Sequence, residues 1–326
     1  MPVNLPTISI IISTYNRVKT LEITVESFIN QNYPKDRYEI IIVDNNSSDN
    51  TKEIVSKWQK KYPSTIKYIF EKRQGLHYAR NTGAKNSRGG ILYYTDDDMI
   101  ADENLLINLV RIFLTPNNVA CATGRVLPKW ETEPPEWVLK YCCNPWLSLI
   151  DRGDGCVIAP FDIGVFGCHQ AVLRHVFFKT GGFNPEVIGT EWIGDGDTGL
   201  NIKIKELGYN FAYIGDSIIY HVIPPSRMTQ KYLNKRLANQ GNSDSYTAYK
   251  KNKFNKKDLC NQILSHIKNL VINASYFLFN FVIFKDIWRI YKAYVSYYFN
   301  RIKYDYKLIK DEDWRQMVLK DNWLNE

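Results

Sequence analysis

Through residue 123, short apolar runs rich in β-branched residues alternate with segments whose apolar residues recur at helical spacing. Ile8–Ile12, Glu39–Val43, Ile66–Phe70 and Ile91–Thr95 have the length and composition of buried strands. Between them lie amphipathic patterns: Leu21, Val25, Phe28 and Ile29, then Ile54, Val55 and Trp58 from about Thr51, then a short helix around Ala79–Ala84. This alternation predicts an α/β class with a mainly parallel central sheet flanked by helices, joined by right-handed crossovers. Asp102-Glu103-Asn104 reads as a helix start, with Leu105, Leu106, Leu109, Val110 and Phe113 on its apolar face. Val119–Thr123 and Ser217–Tyr220 read as further strands. Pro128 to Asp162, rich in Trp and Pro, reads as surface loops or a lid.

Charge divides the chain. The whole carries a formal +8, but residues 227–326 alone hold 19 basic and 9 acidic side chains and 19 of the 45 aromatics. Two regions are therefore expected: residues 1–225, and a basic, aromatic-rich helical extension over 226–326. The six cysteines contain no CxxC spacing, so neither a disulfide framework nor a zinc site is expected. Met1 to Pro6 lacks a basic leader, and a cytoplasmic protein is the expectation. Leu259 to Phe284 is mainly apolar but interrupted by His266, Lys268, Asn269, Asn273 and Asn280. Such interruptions oppose a membrane-spanning helix. They fit either a helix lying peripherally at the inner face of the cell membrane or a helical hairpin packed on the first region. Basic and aromatic residues also serve nucleic-acid binding, but no motif for it is present and none is expected.

Polar residues collect where the proposed strands end: Thr14, Tyr15, Asn16 and Arg17 after the first, Asp44 after the second, Glu71 after the third and Asp96-Asp97-Asp98 after the fourth. His221 follows the Ser217–Tyr220 run. In a parallel sheet these ends share one edge, where such folds place ligands. Three adjacent carboxylates repel one another, and a divalent cation, Mn²⁺ or Mg²⁺, would remove the repulsion and bridge to phosphate oxygens. A solvated acidic turn or helix N-cap is the plainer alternative. The chain has no GxGxxG after its first strand and no Walker A sequence, which argues against a dinucleotide or P-loop site. Ser13-Thr14-Tyr15-Asn16-Arg17 offers hydroxyls and an aromatic face instead, suited to a nucleotide base. Asp44 is placed to accept from a base N–H, while Asn45 to Asp49 reads as turn chemistry.

Taken in order, Ile8–Arg17, Ile40–Asp49, Gly75 with Ala79-Arg80-Asn81, Tyr94–Asp98, Gly181-Gly182-Phe183-Asn184, Asp197-Thr198 with Leu200, Lys203 and Gly208, and Tyr220-His221 resemble the family 2 glycosyltransferases of the GT-A fold. The resemblance spans about residues 7 to 240. It implies a nucleotide-sugar donor, with Thr14, Tyr15 and Asp44 around the base, and Arg17, Arg80, Asp96 and Asp97 contacting the nucleotide. It implies Asp96, Asp98 and His221 as ligands of Mn²⁺ or Mg²⁺. Gly181, Gly182, Phe183, Glu191 and Trp192 would line the donor and acceptor pocket. Arg227 or Lys231 would help neutralise the diphosphate.

Inversion at the sugar C1 requires a carboxylate on the acceptor side that stays ionised. The family usually carries Glu-Asp at the position of Gly196-Asp197. Asp197 is the expected base, with Asp195 as runner-up for the missing Glu, and either also reads as a helix N-cap. The implied activity is transfer of a sugar, from a UDP-sugar by preference, to a glycan or lipid-linked acceptor in cell-surface polysaccharide synthesis. A sugar-1-phosphate nucleotidyltransferase would show a Gly-rich phosphate loop, which is lacking here. A noncatalytic scaffold binding a sugar nucleotide or glycan is the rival from another class, because Gly196 departs from the family pattern.

Overall fold

Each βα unit of the N-terminal half lays one strand into a common sheet and one helix on its face. In the computed structural model, which describes residues 5–142, 146–188, 191–192 and 194–325, with the side chains of Ile188, Glu191 and Trp192 outside the described set, the series begins β1 (Ile8–Thr14), α1 (Val18–Ile29), β2 (Tyr38–Asp44), α2 (Thr51–Lys61), β3 (Ile66–Phe70), α3 (Leu76–Lys85) and β4 (Ile91–Asp96). It continues with β5 (Met99–Ala101), α4 (Leu105–Val110), β6 (Val119–Trp130), α5 (Glu136–Tyr141), β7 (Cys156–Ala159), β8 (Gln170–Leu173) and α6 (Arg174–Lys179). A two-stranded hairpin of β9 (Val187–Ile188) and β10 (Glu191–Trp192) precedes α7 (Gly196–Glu206) and β11 (Asn210–Ile223). Helices α8 (Gln230–Asn252), α9 (Lys256–Val282), α10 (Trp288–Lys310) and α11 (Glu312–Leu319) close the chain.

The sheet order is β3-β2-β1-β4-β8-β6-β11-β5, with β7 also on β11. Strands β1 to β4 are mutually parallel, as the βα alternation requires, and β6 is parallel to β11. The sheet is more mixed than expected. β8 runs antiparallel between β4 and β6, and β5 and β7 run antiparallel to β11. β1 and β2 are buried at every position, which explains their largely apolar runs, with Ser9 donating to Glu39 across the pair at 2.6 Å; each fully buried Ile contributes roughly 1.5–3 kcal/mol. Pairing register sets the edge: Thr14 lies opposite Asp44, and Ser13 opposite Asp96.

Helix α3 packs tightly across this edge. A side chain on Gly83 would meet Ile11 Cγ2 at 2.4 Å and Val43 Cγ2 at 3.2 Å. The bare glycine therefore lets α3 approach β1 and β2, and brings His77 and Arg80 beneath the strand ends.

Several expected boundaries shift. The Val119–Thr123 run extends to Trp130, because β11 pairs with it along its length. His221 sits within β11, opposite Met99 and Pro128, rather than after the strand. The Pro128–Asp162 stretch holds α5 and β7, and its residues 143–145 lie outside the described set. At the C-terminus Tyr246, Tyr249, Leu259, Tyr304, Leu308, Trp314 and Val318 form a small core of their own. Leu233, Leu237, Ala293 and Leu324 instead join the main core. The final turn returns to the body, with Trp323 N–H donating to the Gly181 carbonyl at 3.0 Å.

Candidate active site

A cleft opens above the carboxyl ends of β1, β2 and β4, lined among others by Thr14, Tyr15, Arg17, Asn45, Asp96 and Arg227. Tyr15 is half exposed, so its ring is available for stacking. Thr14 is buried and donates from Oγ1 to Asp97 Oδ2 at 2.7 Å. Asp44 departs from expectation. It is 2% exposed, with Oδ1 accepting from Ser47 N–H at 2.9 Å and Oδ2 from the Tyr68 hydroxyl at 2.8 Å. Asn45, one residue on, reaches the cleft instead, and its side chain also pins the Glu71–Gly75 turn. Within that turn burial pushes Glu71 up, but bonds from Arg73 and Thr82 outweigh it and hold the carboxyl at about 2.

The repulsion among the three adjacent aspartates is met by three guanidinium groups. Arg80 donates to Asp96 at 2.8 Å. Arg17 Nη1 lies 3.1 Å from both Asp97 Oδ1 and Asp98 Oδ2. Arg227 Nη2 reaches Asp98 Oδ2 at 2.7 Å. Asp97 is the most enclosed; burial raises its carboxyl to about 6 against the opposing pull of Arg17.

Asp98 and His221 face one another, with Oδ1 and Nε2 3.9 Å apart and both side chains more than nine-tenths buried. His221 Nδ1 is 2.9 Å from the Leu147 carbonyl. A carbonyl only accepts, so Nδ1 carries the proton and Nε2 keeps its lone pair on the side where Asp98 lies. An imidazole tied through its outer nitrogen in this way is the usual preparation for metal ligation. The pair thus fits a divalent ion, with phosphate or water oxygens completing its shell. Asp96 does not join them, being turned to Arg80, and among the described residues no three acidic, His or Cys side chains are arranged to hold a metal ion.

On the far side of Arg80 stands Asp197. Its Oδ1 accepts from Arg80 Nη1 and lies 3.2 Å from His77 Nε2, and its Oδ2 accepts from Gly167 N–H at 2.8 Å. Burial opposes ionisation, yet Arg80 and His77 hold the carboxyl well below the usual range. Arg80 is 1% exposed, so its guanidinium bridges Asp96 and Asp197 instead of facing a nucleotide directly. Asp197 opens toward a second pocket with Trp146, Asp162, Phe166, Glu186 and Arg236. Asp195 also borders that pocket, but both its oxygens are engaged, by Asn184 Nδ2 and Thr247 Oγ1, each at 2.8 Å. It occupies the N-cap position of α7 without a side-chain capping bond, and it ties α7 to α8.

The absent Glu at position 196 has a local reason. Gly196 has φ +50°, and a Cβ there would meet His77 Cε1 at 2.4 Å and Glu186 Oε1 at 2.7 Å. His77 fills the space, and Glu186 brings a carboxylate to the same place, 3.8 Å from His77 Nδ1. A backbone bridge between Asn184 and Gly196 holds the two segments together.

Gly181, Gly182 and Phe183 do not line the cleft. The two glycines pack against Asp321, Asn322 and Leu324, and Phe183 is fully buried, its ring 4.9 Å from Tyr94 and 5.1 Å from His77. They support the site from below. Glu191 and Trp192 pair by backbone with β9, and their side chains lie outside the described residues. His77 and Glu186 were missed from the sequence. His77 was accessible to reasoning, because it precedes Arg80 by three residues and so shares its helical face. No local signal marks Glu186.

The glycosyl transferase family 2 model matches residues 9–182, just over half the chain. The probable glycosyltransferase YdaM of Bacillus subtilis is 27% identical over 227 residues, 68% of this chain and 51% of YdaM. Glycosyltransferase AglE of Haloferax volcanii is 39% identical over 98 residues, 30% of this chain and 32% of AglE. The matched region therefore spans from about a third to about half of these relatives' length. Among solved structures, the mannosyltransferase PcManGT of Pyrobaculum calidifontis, in complex with GDP-Man and Mn²⁺, superposes with a TM-score of 0.55 at 22% identity, covering 74% of this chain and 64% of that one. At that identity the likeness speaks for the GT-A fold.

Proposed function

The chain belongs to glycosyl transferase family 2, and from that premise we propose that it is an inverting glycosyltransferase. It moves a sugar from a nucleotide donor, a UDP-sugar in the first instance, to a hydroxyl of a glycan or lipid-linked acceptor in cell-surface polysaccharide synthesis. The observation that carries this reading is the Arg80 bridge, which joins Asp96 at the nucleotide cleft to Asp197 at the second pocket. Donor and acceptor sides meet at one buried guanidinium.

The donor's diphosphate lies in the cleft, beside Arg17 and Arg227, with the base toward Tyr15 and Asn45. As the bond between C1 and the diphosphate oxygen breaks, negative charge builds on the leaving group, and preorganised cations lower that barrier. A divalent ion, Mn²⁺ or Mg²⁺, held by Asp98 and His221 supplies further Lewis-acid stabilisation when bound. The acceptor hydroxyl enters from the second pocket and attacks C1 from the opposite face. Its proton passes to Asp197, which Arg80, His77 and the Gly167 N–H keep ionised and oriented. Asp195, engaged with Asn184 and Thr247, positions α7.

A lipid-linked acceptor is supported by the extension. Helix α9 exposes Leu264, Ile267, Val271, Leu278, Phe279, Phe281 and Val282, and Phe284 after it is 93% exposed. Lys268, Lys285, Arg289 and Lys292 flank this surface in the sequence. Among the described residues no helix is long and apolar enough to cross a membrane. An apolar face with basic neighbours suits peripheral contact with an anionic bilayer, here its cytoplasmic face.

The test is thermal unfolding against a panel of nucleotide sugars, with and without Mn²⁺ or Mg²⁺. A ligand at a hundredfold excess over its Kd stabilises by about 2.7 kcal/mol. One donor should raise the melting temperature, and more so with metal. A panel that raises it nowhere, with either ion, defeats the proposal.

A further inference from the structure

The guanidinium of Arg227 lies where a cation shared by Asp98 and His221 would lie. Its Nη2 donates to Asp98 Oδ2 at 2.7 Å, and its Nη1 packs against His221 Nε2. Guanidinium nitrogens only donate, and the Leu147 carbonyl already fixes the His221 proton on Nδ1. The Nε2 lone pair therefore serves Arg227. An ion would need that lone pair and the Asp98 carboxylate. Two ligands each about 2.1 Å from one ion lie at most about 4.2 Å apart, and the observed 3.9 Å is within that span. The ligands are prepared, but Arg227 already occupies them.

Arg227 also has somewhere to go. It stands in the short turn Pro225–Arg227 between β11 and α8, and it borders both the nucleotide cleft and a neighbouring pocket formed with Asn16, Arg17, Asp98 and Ser226. A diphosphate in the cleft would offer it a new anion. Arg17 touches Asp98 too, but its second partner is Asp97 and not His221.

We propose that Arg227 is the resident cation of the free protein, and that a divalent ion enters between Asp98 and His221 as Arg227 transfers to the donor's diphosphate. This rests on the reading that Asp98 and His221 hold a divalent ion. Ion and diphosphate then assist each other's binding, and the coupling is reciprocal. Metal alone binds weakly because it must displace an ion pair and a hydrogen bond.

Titration of the full chain with Mn²⁺ alone, followed by the electron paramagnetic resonance of the free ion, tests this. Arg227→Gln should bind Mn²⁺ on the order of tenfold or more tighter than the parent, since charge-assisted bonds to the competitor are removed. Adding Asp98→Asn should abolish the gain. Arg17→Gln removes the same charge but leaves the bridge, so its gain should be clearly smaller. Inorganic pyrophosphate should tighten Mn²⁺ binding in the parent more than in Arg227→Gln. If Arg227→Gln fails to fold, Arg227→Lys, whose single nitrogen cannot span both partners, must still bind Mn²⁺ more tightly than the parent. No gain in Arg227→Gln, an equal gain in Arg17→Gln, or a gain that survives Asp98→Asn overturns the proposal. A gain that follows this pattern while no nucleotide sugar binds would leave it standing and sink only the transferase reading.

Discussion

Replacing Gly196 by alanine should damage the Asp197 side of the site through one methyl group. The backbone at φ +50° is left-handed, and a residue with a Cβ gives up roughly 1–2 kcal/mol there. The new Cβ would stand 2.4 Å from His77 Cε1 and 2.7 Å from both His77 Nε2 and Glu186 Oε1. Glu186 can withdraw its flexible end, but His77 is 1% exposed and has no room. The ring must shift away from Asp197, losing a hydrogen bond to a charged group, and such bonds contribute roughly 1.5–3 kcal/mol. Together the two effects give roughly 2.5–5 kcal/mol of lost stability. Urea denaturation of parent, Gly196→Ala, His77→Ala and the double variant separates them. In the His77→Ala background only the backbone part should remain, about 1–2 kcal/mol. An equal loss in both backgrounds would refute the claim that His77 occupies the space of the missing side chain.

Two other outcomes follow from the same geometry. Glu71 sits at about 2 in the folded protein against an ordinary 4.5, so its stabilisation is present above pH 4.5 and is lost as pH falls toward 2. Glu71→Gln should therefore cost about 3 kcal/mol at neutral pH, and urea curves of parent and variant should converge on acidification; a pH-independent difference would contradict the Arg73 and Thr82 account. On the extension, replacing Leu278, Phe279 and Val282 by serine should abolish flotation with vesicles containing anionic lipid while leaving the melting temperature near the parent's, because these side chains are largely exposed. Flotation that persists would place the bilayer contact elsewhere.

The parts of the fold visible in the sequence are those governed by local periodicity. The strands from Ile8 to Asp96 and their polar ends were legible because buried parallel strands read as apolar runs. β5, a three-residue strand, and β8 were not, because their pairing with β11, β4 and β6 is settled by distant partners. The aspartate triad announced a charged site, but not that arginines from three separate segments would meet it. Arg80 carried a motif yet lies under the cleft, since α3 is drawn onto the sheet at Gly83. Gly181 to Phe183 were expected at the pocket wall, and the returning C-terminus covers them instead. Glu186 was illegible altogether, because only the bridge between Asn184 and Gly196 brings it beside His77.

The central claim is that Asp197 takes the acceptor's proton across the Arg80 bridge from the nucleotide cleft. Its most direct test is Asp197→Asn, measured with the donor identified by the panel: sugar transfer in one assay and nucleotide affinity by calorimetry in another. General-base catalysis contributes roughly 10²–10⁴ in rate, so transfer should fall by that order while the nucleotide Kd stays within about twofold. Transfer that continues near the parental rate, or a nucleotide affinity that collapses along with it, would contradict the account.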